Sequence, residues 1–153
     1  MTGHLDTESR RFYTEVKRKA DQFDLRIETA DAAHGIVASL GEELLVVFTR
    51  DRDGLIVSLA SRRRPNDCFA VEYVAVMLGG IETRELDDYQ SRLERFVKSV
   101  EDGDPPAPLR DTDWLLKWIR NNESELIAQF CVQDPKPRLD AIVHRYLAVS
   151  GGN

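Results

Sequence analysis

Apolar residues recur along this chain with two different periods, and the change of period marks out its elements. Phe12, Val16, Ala20 and Phe23 step at near-helical spacing, with Arg10, Glu15, Lys17, Arg18 and Lys19 on the polar side. This predicts an amphipathic first helix capped by Asp6 or Thr7. Leu25-Arg26-Ile27-Glu28-Thr29 then alternates with period two and predicts a strand, as does Ile36-Val37-Ala38-Ser39-Leu40. Leu44-Leu45-Val46-Val47-Phe48-Thr49 and Leu55-Ile56-Val57-Ser58-Leu59-Ala60 flank Arg50-Asp51-Arg52-Asp53-Gly54. Two branched and aromatic runs joined by a polar link ending in Asp-Gly predict a β-hairpin. Short turns between successive strands force antiparallel pairing, so this region reads as a meander of three or four strands.

The second half returns to helical spacing. Pro65 breaks the chain after Arg62-Arg63-Arg64. Asn66 or Asp67 then caps a helix through Phe69, Val71, Tyr73, Val74, Val76, Met77 and Leu78, ending at Gly79-Gly80. Apolar on nearly all sides, it is expected to be the most buried helix. A second runs from Thr83 to Val100 with Leu86, Tyr89, Leu93, Phe96, Val97 and Val100 three and four apart. Residues 101–108, with three prolines, a glycine and three acids, form an acidic linker. A third helical stretch starts at Thr112 and carries Trp114, Leu115, Trp118, Ile119, Leu126, Ile127 and Phe130, with Asn121-Asn122 as the point where it splits. Pro135 and Pro137 stop it, and Leu139, Ile142, Val143, Tyr146 and Leu147 mark a last helix. No second sheet appears, so helices must cover one face of the meander. The expectation is one α+β domain over residues 1–153: an N-terminal helix, a three- to four-stranded antiparallel meander, and a helical C-terminal half packed on one sheet face.

Candidate chemistry changes this picture little. No run of about 18 apolar residues exists to span a membrane. Met1-Thr2-Gly3-His4-Leu5-Asp6 does not read as a secretion signal, so a cytoplasmic location is expected. Cys68 and Cys131 have no CxxC or Cys/His companions and are expected as small apolar residues in helices. His4 and His34 stand alone, and Asp140 with His144 shares a helix face but lacks a third ligand, so no metal site is expected. Val37 occupies the position where a nucleophile elbow at Ser39 needs glycine, and Gly79-Gly80 has no phosphate-loop lysine. Neither catalysis nor a cofactor is expected.

Charge is more informative. Of the net −6, five charges arise in residues 81–125, with twelve acids against seven bases. That segment repels duplex nucleic acid and attracts a basic protein surface. Arg62-Arg63-Arg64, with Arg50 and Arg52, reads as a strand end guarded against edge aggregation rather than as a nucleic-acid patch. Asp87, Asp88, Asp111 and Asp113 are the acids expected at a partner interface. Trp114 and Trp118, four apart beside the last two, read either as core or as aromatic anchors of that interface.

The stretch from Val46 to Ala60, with its charged turn, followed by Phe69-Ala70-Val71-Glu72-Tyr73-Val74-Ala75-Val76-Met77-Leu78-Gly79-Gly80, resembles the strand, turn, strand and buried-helix segment of bacterial immunity proteins. These are encoded beside secreted or contact-dependent toxins and neutralise them. The resemblance implies a protein-binding module that binds and neutralises one toxin. It carries over no binding residue. The acid excess and the absence of catalytic residues point to a non-enzymatic module masking a basic toxin or enzyme. The alternative is a small-ligand domain or enzyme whose site gathers Arg50, Arg52, Arg62 and His34 from distant parts of the chain. A homodimer without another partner is a third reading.

Overall fold

The computed structural model describes residues 7–31, 35–51, 54–98 and 108–150. Helix α1 (Thr7–Gln22) buries Phe12, Val16 and Ala20 along the stripe their spacing predicts. Asp24 then takes a left-handed conformation, φ 59°. The chain turns there, and the Leu25 N–H donates to the Ala20 carbonyl at 2.8 Å. Five strands follow: β1 (Arg26–Asp31), β2 (Gly35–Leu40), β3 (Leu44–Asp51), β4 (Gly54–Ser61) and β5 (Arg64–Ala70). They pair antiparallel in chain order. The helical C-terminal half comprises α2 (Val71–Leu78), α3 (Thr83–Lys98), α4 (Thr112–Asn121), α5 (Glu123–Leu126), a π-helical stretch Ile127–Val132, and α6 (Lys136–Ser150). The fold is α+β, as expected.

Strand register decides where the core lies. Ile36, Phe48 and Val57 stand in one row across β2, β3 and β4; Ala38, Val46 and Leu59 stand in the next, and Leu40, Leu44 and Ser61 in the third. Every one of these side chains is buried. The eight apolar ones share a single core with Val16 of α1, Val74 of α2, Ile119 of α4, Phe130 of the π-helix and Leu139 of α6. The alternate positions are Gly35, Val37 and Ser39 on β2, Leu45, Val47, Thr49 and Asp51 on β3, and Gly54, Ile56, Ser58 and Ala60 on β4. None of them joins that core, because residues one apart on a strand point to opposite faces. Among the described residues, the core helices therefore pack on one face of the sheet; on the other, Ser39, Leu45 and Ala60 are buried outside that core, while Ile56 is exposed.

One side chain ties down an end of this second face. A register shift between Ile27 and Thr29 makes Glu28 the extra residue of a bulge, which re-aims its carboxylate. Arg62, in the β4–β5 turn, crosses the ends of β3 and β2 to meet it. Its Nε donates to the Glu42 carbonyl at 3.0 Å, and its two terminal nitrogens donate to Glu28 at 3.0 and 2.5 Å. This two-pronged contact, with the Ser39 hydroxyl beside it, lowers the Glu28 carboxyl to about 2.

The fifth strand departs from the sequence reading. Residues 64–70 pair with β4, and α2 starts only at Val71. Pro65 fits because an edge strand need not offer every N–H to a neighbour. Arg64, at the start of β5, donates from Nη2 to the carbonyls of Cys131 at 2.6 Å and Gln133 at 2.9 Å, which fixes the strand to the end of the π-helix. Cys68 consequently lies exposed on a strand, while Cys131 is buried in the π-helix; both thiols are free. Residue Asn122 does split the third helical stretch: its backbone and side-chain N–H groups both donate to the Trp118 carbonyl, at 3.0 and 2.9 Å. Val97 on α3 is 72% exposed, outside the buried stripe. Most of the acidic linker, residues 101–107, and Val100 lie outside the described residues.

Two outcomes follow from this packing. A Cβ on Gly80 would run into the Trp118 indole nitrogen and lie 2.9 Å from its Cε2. Gly80→Ala should therefore lower unfolding free energy by roughly 1–3 kcal/mol, the usual range for overpacking, read by urea denaturation. Replacing Glu28 by glutamine should lower stability at pH 7. Since folding lowers this carboxyl to about 2, its contribution is full above the unfolded carboxylate range and disappears as pH falls through the folded value. Denaturation midpoints of the wild type and Glu28→Gln should converge with acidification; a constant gap down to pH about 2 would contradict the linkage.

Candidate functional site

The acids expected at an interface lie at the starts of α3 and α4, and the fold brings those starts together. In α3, the Glu85 carboxylate accepts from the Glu82 backbone N–H at 3.1 Å, closing the first turn. Its other oxygen accepts from Arg110 at 2.7 Å, across 25 residues of sequence. The Arg110 contact, first of all, lowers the Glu85 carboxyl. Arg110 also donates to the Leu109 carbonyl at 2.8 Å and stacks 4.9 Å above the Trp114 ring. One guanidinium thus fixes the spacing of the two helix starts.

Beyond this joint the four acids differ in surroundings. Asp111 caps α4, accepting from the Trp114 N–H at 2.8 Å. Asp113, half exposed, pairs with Lys19 of α1, whose side chain is only 11% exposed. Asp88 pairs with Arg92 one turn along α3 at 3.1 Å, and Asp87 is half-buried beside it. Asp111 and Asp113 therefore sit together at the start of α4, and Asp87 and Asp88 follow Glu85 on α3.

The tryptophans divide. Their rings stack nearly parallel, 6.3 Å apart at 7°. Trp118 is 9% exposed and belongs to the core, packed against Gly80. In this arrangement it has no surface to offer a partner. Trp114 is half-buried between Trp118 and Arg110 and is the one with an outward side.

A groove of about 660 Å³ runs beside Asp111 and Asp113, between α1, the start of α4 and the β3–β4 hairpin. Phe12 and Leu55 supply its apolar lining, Glu8 and Glu15 add acid, and Arg11, Lys19 and Arg50 add base. Arg50 lies 5.7 Å over the Phe12 ring and 4.0 Å from Glu8. Of the residues considered for a dispersed site, only Arg50 is here. Arg62 is engaged with Glu28 at the opposite end of the β3–β4 pair, and His34 and Arg52 lie outside the described residues. Asp140 pairs with Lys136 at 2.8 Å rather than with His144. Among the described residues, no group of three metal-ligating side chains converges, and no helix is long and apolar enough to cross a membrane.

One group was not singled out by the sequence reading. Glu72, the sole charged residue of α2, is half-buried, and burial pushes its carboxyl up. Tyr73 and Tyr89 are raised as well, first by burial and next by the nearness of Glu72. The signal available in sequence was a lone acid inside Val-Glu-Tyr-Val-Ala-Val-Met-Leu.

Because folding raises its carboxyl, Glu72 favours the folded state fully below the unfolded carboxylate range and loses that advantage as pH rises through the folded value. Glu72→Gln should accordingly raise the melting temperature at pH 7 relative to wild type and leave it unchanged near pH 4, about the unperturbed carboxylate value. Thermal melts at both values check the sign; a lower melting temperature at pH 7 would assign the ionised carboxylate a stabilising contact.

Comparison of the chain with protein-family models, with curated proteins and with solved structures finds no match.

Proposed function

We propose that this protein is a binding module of immunity type, which neutralises a cognate basic toxin or enzyme by covering its surface. The observation that carries this reading is the gathering of four aspartates near the joined starts of α3 and α4. Asp87, Asp88, Asp111 and Asp113 lie on two helices held together by the Arg110–Glu85 contact. Trp114, half-buried beside Asp111 and Asp113, is the aromatic group placed to enter such an interface. Opposite charge steers encounter and selects partners, and a partly buried tryptophan is the kind of residue that holds a complex once formed. The resemblance of Val46 to Ala60 and Phe69 to Gly80 to immunity proteins points the same way. The charge imbalance of residues 81–125 arises outside these two helices, which are each neutral overall once the Asp111 cap is counted with α4, at Glu82, Glu101, Asp102, Asp104, Glu123 and Glu125.

The groove beside α1 favours a second reading, a small-ligand site, since about 660 Å³ with an apolar lining and convergent charges is the size and character such sites have. Ligand-induced thermal shifts abolished by Arg50→Ala, with no protein partner captured, would favour it over the first.

The test of the first reading is capture of a partner by the tagged full chain, washed at low and high salt, followed by a charge-altered variant. Asp87→Lys and Asp88→Lys reverse charge on α3. Asp111→Asn and Asp113→Asn remove it from α4 while keeping a residue able to cap the helix. The expected result is one basic protein, released by salt, whose affinity for the variant falls at least tenfold, or about 1.4 kcal/mol, with a flatter salt dependence. Unchanged affinity in a variant with a normal melt would remove the interface from this surface.

A further inference from the structure

We infer that the groove beside α1 is a site for a small organic oxyanion, a carboxylate or phosphate carried on an apolar body, with Arg50 as its anchor. The inference rests on the small-ligand reading of that groove and assigns the class of ligand.

The starting observation is a row of the sheet. Positions two apart on a strand share a face, so Arg50 and Leu55, paired across β3 and β4, form the row next to that of Ile36, Phe48 and Val57 on the core side. The three rows before it are buried throughout. Here the core side opens into the groove and carries an arginine. Position alone would make Arg50 a polar end to the apolar rows, but its surroundings add to this. The guanidinium lies 5.7 Å over the Phe12 ring, and stacking of this kind orients the fork. The Glu8 carboxylate stands at 4.0 Å, beyond hydrogen-bond range. Arg64 and Arg110, with side chains 26% and 24% exposed, each donate to two or more oxygens. Arg50, at 34%, donates to none among the described residues. A partly covered guanidinium with an unfilled fork suits carboxylate and phosphate, which accept two parallel bonds from it.

The other charges of the groove decide the sign of the ligand. Four acids line it, and three of them are engaged elsewhere. Glu15 accepts from Arg18 at 2.6 Å, Asp113 pairs with Lys19, and Asp111 accepts from the Trp114 N–H at 2.8 Å. Glu8, Arg11, Phe12, Glu15 and Lys19 follow one face of α1 at three- and four-residue spacing. Lys19, which holds Asp113, is therefore about 16 Å of helix from Glu8. At the hairpin end, Arg11 and Arg50 line the groove against the single carboxylate of Glu8. Glu8 is exposed, so turning it out to water in favour of a ligand oxyanion costs little. Leu55 and Phe12 then lie beside the ligand's apolar body.

Titration of the isotope-labelled full chain with benzoate, phenyl phosphate, benzamidine and benzyl alcohol, followed by backbone amide resonances, tests this. The anions should shift the Leu55 and Thr112 amides saturably, and the cation and the alcohol should not. A response to benzoate alone assigns carboxylates, and one to phenyl phosphate alone assigns phosphate esters. Arg50→Gln should weaken anion binding about tenfold or more, the usual loss for a hydrogen bond to a charged group. Glu8→Gln, at an exposed position where the core is untouched, should tighten it about threefold by removing a competitor for the same fork. Unchanged affinity in a folded Arg50→Gln, or weaker binding in Glu8→Gln, overturns the anchor. Amides that respond to benzamidine or benzyl alcohol but to neither anion overturn the anion assignment while keeping a ligand site. No response to any of the four probes removes the small-ligand reading as well.

Discussion

The pairing register of three central strands is the constraint on which the rest of the molecule depends. Shifting any one of β2, β3 or β4 by a single residue would exchange its inward set for its outward set. Ile36, Phe48 and Val57 would then no longer meet in one row. The rows they form are the platform on which α1, α2, α4, the π-helix and α6 lay their apolar stripes. Because one register serves every helix that packs on these rows, all of them share one side of the sheet. The helix starts bearing the aspartates then belong to the helical half of the molecule, and the alternate strand positions to the other.

Three consecutive arginines show how local charge is absorbed by the fold. Arg62 turns toward β1 and meets Glu28. Arg63 donates to both oxygens of Glu43, at 3.1 and 3.0 Å, and lowers that carboxyl. Arg64 turns to the helical layer and collects carbonyls at the end of the π-helix. In sequence the triplet is the one basic run; in the structure each member is committed to a different partner. Such contacts matter less as exposed ion pairs, which contribute little, than as fixed distances between β1, the turns and the π-helix.

Much of the fold was legible because it rests on local pattern. Branched and aromatic runs around a polar Asp-Gly link located β3 and β4, and three-and-four spacing located α1, α3 and α4. What was not legible depends on partners remote in sequence. Arg-Pro-Asn-Asp imitates a break followed by a helix cap, and only its pairing with β4 and the carbonyls near residue 131 makes it a strand. Whether Trp114 or Trp118 is buried turns on Gly80 and Arg110, neither of which shares a periodic pattern with them. The acidic residues were visible one by one. Their gathering was not, since it depends on the contact between Arg110 and Glu85.

The position of those acids has a consequence for how the protein can change. Asp111 and Asp113 stand at the cap and first turn of α4, and Glu85 in the first turn of α3. Negative charge at a helix start interacts favourably with the helix macrodipole, by about 0.3–1 kcal/mol each. A surface that recognises partners by charge often accumulates like charges at the expense of the fold. Here the same carboxylates steady the helices that present them. On the proposed reading, selection for a more acidic recognition surface and selection for a stable domain would act in the same direction at these positions, and a lineage could retune the one without eroding the other.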